Sequence, residues 1–450
     1  MRGVGPDTTD PLVALPGDQI DIVLTHEDQR KNCQNVSNLI GWLRASHSPD
    51  DFYEVQSKLI EVLLNIEQRR AECKRAAKRL SAHKPISDSI MPLPEGRDQA
   101  SVEEWLLEAY IFSRLARQMR SVGDAVAWTA FGFDRRVILA LSRNQSPGPF
   151  QVKDGLGYEL GHIRQFREQT GQFALLHDIT NCLRIADVTE FHADGRCRFS
   201  EVKAGNRARS AQITRAQQAV DALNNGAPLP GPLDAALVPV ATQYVTDVDH
   251  LAAALQVAAT GGCHGIDLPG GRALVATDMP TLAANFTESE GADLITAERT
   301  RAVNLADIGG AAQHIQGISF DTAARAPTQA PFGIYPLDPP TVARLICDYI
   351  GFTTVVSVDY LTEAFRDLGY QVDVPLPEAN TQLGGDARVL RITNQRHTLT
   401  VYQQSMDQLL YELVKPEAWV AAIAELLEAI TPGTTPGPVI VFAAEAATWR

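Results

Sequence analysis

The sequence lacks most of what would tie it to a membrane or to an oxidising compartment. No apolar run approaches the roughly 20 residues needed to span a bilayer. The opening MRGVGPDTTD has no apolar stretch of the kind a signal peptide needs. Cysteine is scarce and scattered, with six residues at 33, 73, 182, 197, 263 and 347 and no C-x-x-C pair. Reduced thiols in a cytoplasmic protein are the expectation. There is no internal repeat and no low-complexity tract. The glycine-rich GGCHG at 261–265 has no following lysine, so it reads as a turn and not as a phosphate cradle. Positive charge is also short: 40 Lys+Arg face 54 Asp+Glu, a formal net charge of −14.

What the chain has is length and an uneven distribution of that charge. With 450 residues it can bury a large core, and two or three domains are expected. From Gly226 onward there are 11 basic and 25 acidic residues; the first 225 residues carry 29 of each. The acidity therefore belongs to the second half. Arg196, Arg198, Lys203, Arg207, Arg209 and Arg215 cluster in the first half, with Glu201 the only acid between Arg196 and Arg215. Phosphates need local positive charge, not a basic whole protein.

That arginine cluster borders the most informative stretch, residues 173–224. Three short apolar runs follow one another at 173–176, 185–191 and 197–202. Each has the length and partial alternation of a strand. His192-Ala193-Asp194-Gly195 separates the last two, and Asp-Gly between apolar runs signals a hairpin. Asp187 opens the second run, and Glu201-Val202-Lys203 closes the third. Glu201 and Lys203 are two apart and share a strand face. Antiparallel pairing brings Asp187 beside Glu201. Two acids and a lysine then converge at one sheet end, a site suited to a divalent metal and a water. Asp178, at the end of the first run, is the rival to Asp187; it also suits a turn at Thr180-Asn181. Helical spacing precedes the strands at 157–169, with Glu159 at the stripe's edge, and follows them at 211–224, with Gln212 near its first turn. A fourth strand is expected at 236–245.

Residues 157–245 thus resemble the PD-(D/E)xK nuclease superfamily. Its restriction-endonuclease-like core has the same αβββαβ order. Its acidic residue at the start of the second strand matches Asp187, and its E-x-K matches Glu201-Val202-Lys203. The residue before Asp187 is Ala186 where the family motif has proline. The resemblance implies a Mg²⁺-dependent nuclease, with Mn²⁺ able to substitute. The metal set would be Asp187, Glu201, the Val202 carbonyl and Glu159. Lys203 and Gln212 would serve catalysis, and Arg196, Arg198, Arg207, Arg209 and Arg215 the nucleic acid. DNA is the expected substrate, and restriction, repair or phage defence the expected setting. A nucleic-acid-binding or assembly protein that keeps the fold without turnover is the alternative. A structural zinc bound by His177, Cys182, His192 and Cys197, which repeat an H-x4-C spacing, is a third reading.

The rest of the chain frames this core. Residues 1–150 read as a helical region. Ser48-Pro49-Asp50 marks a turn or cap, Ser101 and Glu104 form a capping box, and helices are expected from 101 to about 120 and from 123 to 144. Residues 151–245 are the nuclease-like unit, and 246–450 an acidic α/β region. Within the latter, helices are expected at 248–259, 340–350, 357–368 and 419–430, with hairpins at 261–278 and 388–402 and an edge strand at 438–443. This region would supply recognition, homo-oligomerisation or control, even as an appendage that covers the basic site.

Overall fold

Helix-capping chemistry sets the front of the molecule. The computed structural model describes residues 22–86, 101–142, 150, 155–202, 210–225, 229, 236–308, 314–320, 329–375, 388–429 and 439–442; the side chains of 210–213, 225, 236–237, 403–404 and 439–442 lie outside that description. Helix α1 (Glu27–Ala45) begins at His26, whose Nδ1 accepts the Asp28 N–H at 3.2 Å. Helix α2 (Pro49–Ser81) begins with a Ser48/Asp51 capping box, and α3 (Val102–Ala130) with the expected Ser101/Glu104 box. The break expected between 120 and 123 does not occur. Helix α3 runs straight through Gly123, and the residue is there for packing. A Cβ on Gly123 would lie 2.0 Å from the Ile179 carbonyl oxygen. Helix α3 therefore lies flush against the 177–180 turn. Helix α4 (Arg135–Leu141) is a short continuation capped by Asp134.

The middle of the chain follows the expected order. Helix α5 (Leu156–Thr170) ends at Gly171, whose φ of 66° closes it. Strands β1 (Ala174–Leu176), β2 (Val188–Phe191) and β3 (Cys197–Ser200) form an antiparallel sheet in the order β1-β2-β3. Helix α6 (Ser210–Asn225) and strand β4 (Ala236–Pro239) come next. Strand β4 does not join the three-stranded sheet. It pairs in parallel with β12 (Val439–Phe442), Val439 opposite Ala236, so the far end of the chain returns to the middle.

The second half is also mixed α/β. Helix α7 (Val248–Gly261) leads into the hairpin β5 (Cys263–Leu268) and β6 (Arg272–Asp278). With β7 (His314–Ile318) and β8 (Ile350–Ser357) these make an antiparallel sheet in the order β5-β6-β8-β7. Strand β8 lies where the sequence pattern suggests only helices on either side. Helices α8 (Met279–Asn285), α9 (Glu288–Leu305), α10 (Pro339–Ile346) and α11 (Val358–Asp367) are interleaved. Strands β9 (Gln371–Asp373), β10 (Arg388–Thr393) and β11 (Thr398–Tyr402) form a second small sheet, and α12 (Asp407–Leu410) and α13 (Pro416–Ala429) follow.

The three regions share one core. Phe332, Tyr335, Ile346 and Phe352 from the second half are buried in the same cluster as Leu39, Ile40, Ala125 and Leu176. A Cβ on Gly333 would lie 2.5 Å from Ala125 Cβ, so the 332–335 segment touches α3 directly. Polar contacts cross the same junction. Gln29 Nε2 donates to the Cys347 carbonyl at 2.8 Å, Tyr349 to the Leu24 carbonyl at 2.9 Å, and Arg114 pairs with Asp348. The acidic region is thus built into the fold and is not an appendage laid over it. No described helix is long and apolar enough to cross a membrane.

Candidate active site

One end of the three-stranded sheet collects the chemistry. Leu176 faces Val188, and Val188 faces Ser200. One residue further on, the His177 N–H donates to the Asp187 carbonyl at 2.9 Å, and the Asp187 N–H donates to the Ser200 carbonyl at 3.1 Å. The paired rows end there: His177, Asp187 and Glu201 come just after them, outside the strands, and β3 stops at Ser200, short of the Glu201-Val202-Lys203 expected to close it. The Asp187 carboxylate does not hang free: its Oδ2 accepts the Val202 N–H at 2.9 Å. Ala186 precedes Asp187 with φ at 68°, a left-handed conformation that costs a non-glycine residue roughly 1–2 kcal/mol. Strain of this kind is retained where surrounding structure fixes it, and functional sites are where it collects.

The two candidate acids lie on either side of His177, and both act on its imidazole. Asp187 lies beside the end of β3, its N–H on the Ser200 carbonyl. Asp178 lies in the 3₁₀ turn His177–Ile179, on the side facing α3, and its carbonyl accepts from Arg120 Nε at 3.2 Å. The turn is clamped from below by Asp124 of α3, which accepts the Asn181 N–H at 2.6 Å and the Cys182 N–H at 2.9 Å. Burial pushes the Asp124 carboxyl above its ordinary range. His177 is 1% exposed, with Nε2 2.7 Å from Thr189 Oγ1. Burial drives its imidazole down to about 4, against the opposing pull of Asp178 and Asp187.

Helix α5 packs along the same sheet. The Phe166 ring meets His192 edge-on at 5.4 Å, and His162 Nε2 lies 2.8 Å from Glu190 Oε1. One turn before His162, Glu159 keeps its Oε1 beside Gly155, at the start of its own helix. Glu159 is 3% exposed. Its Oε2 and that of Glu201 are both closed off from solvent.

The arginines divide. Arg196 stands at the hairpin tip opposite His192, five residue steps or about 17 Å along the strand from Glu201, and is held by Asp194 at 2.5 Å. It does not surround the acids as expected, because a hairpin puts its turn at the far end from its open strands. Arg198 faces Glu190 across the pair and is exposed; Arg215 is half-buried on α6. Lys203, Arg207 and Arg209 lie outside the described residues, as does the Gln212 side chain, whose backbone sits in the first turn of α6. Sequence reasoning missed Glu190, His162 and Ser200. An E-x-x-H spacing at 159–162 and a lone acid inside an apolar strand were the available signals.

Carboxylates and a backbone carbonyl are the ligands a hard divalent cation takes, and Mg²⁺ needs only one or two of them beside water and phosphate. Glu159, Asp187 and Glu201 are not brought together as a set of three with donor atoms within 4.8 Å of one another. Among the described residues, the set of three metal-capable side chains whose donor atoms all lie within 4.8 Å is elsewhere: His26, Asp28 and Glu108. There His26 Nδ1 accepts the Asp28 N–H and Nε2 faces Glu108 at 3.3 Å, so the imidazole is engaged on both sides as a helix cap. The four zinc candidates do not converge either. His177 is bonded to Thr189, Cys182 is buried at the Asp124 clamp, His192 packs on Phe166, and Cys197 is exposed near the tip. Comparison with protein-family models, with curated proteins and with solved structures returned no match.

Proposed function

We propose that the chain is a metal-dependent nuclease of the PD-(D/E)xK type, acting on DNA, and that the sheet end at Asp187 and Glu201 is its active site. The observation that carries this reading is the bond from the Val202 N–H to the Asp187 carboxylate, which ties the acid just before β2 to the E-x-K segment just after β3. A Mg²⁺ ion held by Asp187, Glu201 and the Val202 carbonyl would lower the pKa of a bound water and stabilise charge on the phosphate. The protein's own residues do the rest. The Val202 N–H fixes the direction of Asp187, and Glu159 would bind the ion or a water on it. Lys203 would hold the attacking water or take its proton, and Gln212 would hold a phosphate or the scaffold beside it. Arg207, Arg209 and Arg215 would bind the flanking phosphates. Restriction, repair or defence against phage are the settings such an activity serves.

Cleavage of plasmid DNA, linear DNA and single-stranded RNA, with Mg²⁺, Mn²⁺ or EDTA, tests the reading. Cutting of DNA that EDTA abolishes is expected, reduced at least about 10²-fold by Glu201→Ala and by Lys203→Ala. Cutting that survives both substitutions would place the site elsewhere.

A further inference from the structure

Two cysteines meet where the helical front joins the second half. Helices α1 and α10 run antiparallel along that junction. Near the end of α1, Arg44 donates to the Tyr335 carbonyl at 2.5 Å and to the Leu337 carbonyl just before α10. Near the start of α1, Gln29 Nε2 reaches the carbonyl of Cys347, the residue that caps α10, at 2.8 Å. Asn32 Nδ2 lies 4.0 Å from the Cys347 sulfur. Cys33 follows Asn32 and sits one turn beyond Gln29 on the same helix face. Its thiol therefore falls on Cys347 as well, and the two sulfurs share a hydrogen bond.

The two thiols are not equivalent. Cys347 is fully buried, whereas Cys33 is partly open to solvent. Burial, and then the bond to Cys33, hold the Cys347 thiol well above its ordinary range, so the shared proton sits on Cys347. Accepting that bond draws the Cys33 thiol below its ordinary range, helped by the Arg344 guanidinium and opposed by burial. Arg344 also pairs with Asp278 at 2.6 Å, and Asp348, beside Cys347, is taken up by Arg114. Burial shifts the other four cysteines upward. An accessible thiol that ionises readily, backed by a protonated thiol in contact, is the arrangement that peroxides oxidise and a second thiol resolves. Two small apolar side chains would fill the same space without that reactivity.

We infer that Cys33 and Cys347 are a redox modification site, at which hydrogen peroxide forms a reversible disulfide that ties α1 to the end of α10. The Cys33 thiolate attacks one peroxide oxygen. An S–O bond forms, the O–O bond breaks, and the other oxygen leaves as water with the proton that Cys33 lost. The Cys347 sulfur then attacks the Cys33 sulfenic acid. The S–S bond forms, the S–O bond breaks, and the hydroxyl leaves with the Cys347 proton as a second water. The two thiols give up two electrons, and one peroxide becomes two waters. The inference goes beyond the nuclease reading and does not rest on it.

The test treats the full-length protein with hydrogen peroxide, then quenches, denatures, alkylates and digests it without reduction for mass spectrometry. The wild type is expected to lose alkylation at both Cys33 and Cys347 and to yield one peptide pair joined through them, which dithiothreitol releases. Protease nicks between the two positions should leave fragments that stay together on a non-reducing denaturing gel. Cys33→Ser should abolish the link. Cys347→Ser should leave Cys33 as a sulfenic acid that dimedone traps. The wild-type result decides even where a variant folds poorly. Wild-type protein in which the exposed Cys197 is oxidised while Cys33 and Cys347 both still alkylate would overturn the site. So would Cys33 carried on to a sulfinic acid with Cys347 left free.

Discussion

Ala186 and His177 show how individual residues hold the site. Ala186 has a left-handed backbone immediately before Asp187. Ala186→Gly removes that strain but loosens the unfolded chain, and the two effects are each about 1 kcal/mol. The variant is expected to match wild-type stability within about 0.5 kcal/mol, whereas Ala186→Val should lose more than about 1 kcal/mol. Denaturant midpoints read both. A large loss in the glycine variant would mean that the conformation is not strained. His177 makes a pH-dependent contribution. In the folded protein its imidazole is driven down to about 4, from an ordinary 6.5. Above pH 6.5 it is neutral in both states, and its contribution is fully present. As pH falls toward about 4 the unfolded chain takes up a proton that the folded one refuses, and about 3 kcal/mol is lost across that window. His177→Gln should flatten the stability curve between pH 6.5 and 4. Parallel curves for the two proteins would contradict the assignment. The hairpin turn at 192–195 was legible in the sequence because Asp-Gly between two strands is a short-range feature. Glu190 was not, because its meaning depends on α5 lying over it.

At the scale of elements, Gly123 ties the helical front to the site. Its missing Cβ lets α3 press on the Ile179 carbonyl, and Asp124, the next residue, clamps the same turn. Gly123→Ala cannot be absorbed by a side-chain rotation, because the obstacle is backbone. It should cost about 1–3 kcal/mol, speed hydrogen exchange at the Asn181 and Cys182 amides, and reduce cleavage by displacing Asp187. Unchanged exchange at those amides would show that the contact is not tight. The same glycine explains a limit of sequence reading. Within a helical pattern it looked like a break, since its reason is a tertiary contact. The Ser101 capping box, by contrast, is written in four consecutive residues and was readable. Strand β8 was overlooked for a related reason. Ile350–Ser357 is buried on both faces and has no apolar/polar alternation, so periodicity alone does not mark it as a strand.

At the scale of the whole molecule, the acidic second half completes the core that carries the site. A chain ending at Tyr244 would lose Phe332, Tyr335, Ile346 and Phe352 from the shared cluster, and Asp348 from Arg114. Such a truncation is expected to be unfolded or molten by circular dichroism and limited proteolysis. A folded, active fragment would restore the view of the second half as a separate appendage. Composition located the charge asymmetry between the halves but not this packing, because composition carries no record of which elements meet. The account stands or falls on Asp187. The most direct measurement is Mg²⁺-dependent cleavage of DNA by the wild type, Asp187→Asn and Asp178→Asn side by side. The account predicts cutting by the wild type, cutting by Asp178→Asn, and at least a 10²-fold loss in Asp187→Asn alone. Full activity in Asp187→Asn, or loss confined to Asp178→Asn, would contradict it. So would a wild-type protein that binds DNA and never cuts it.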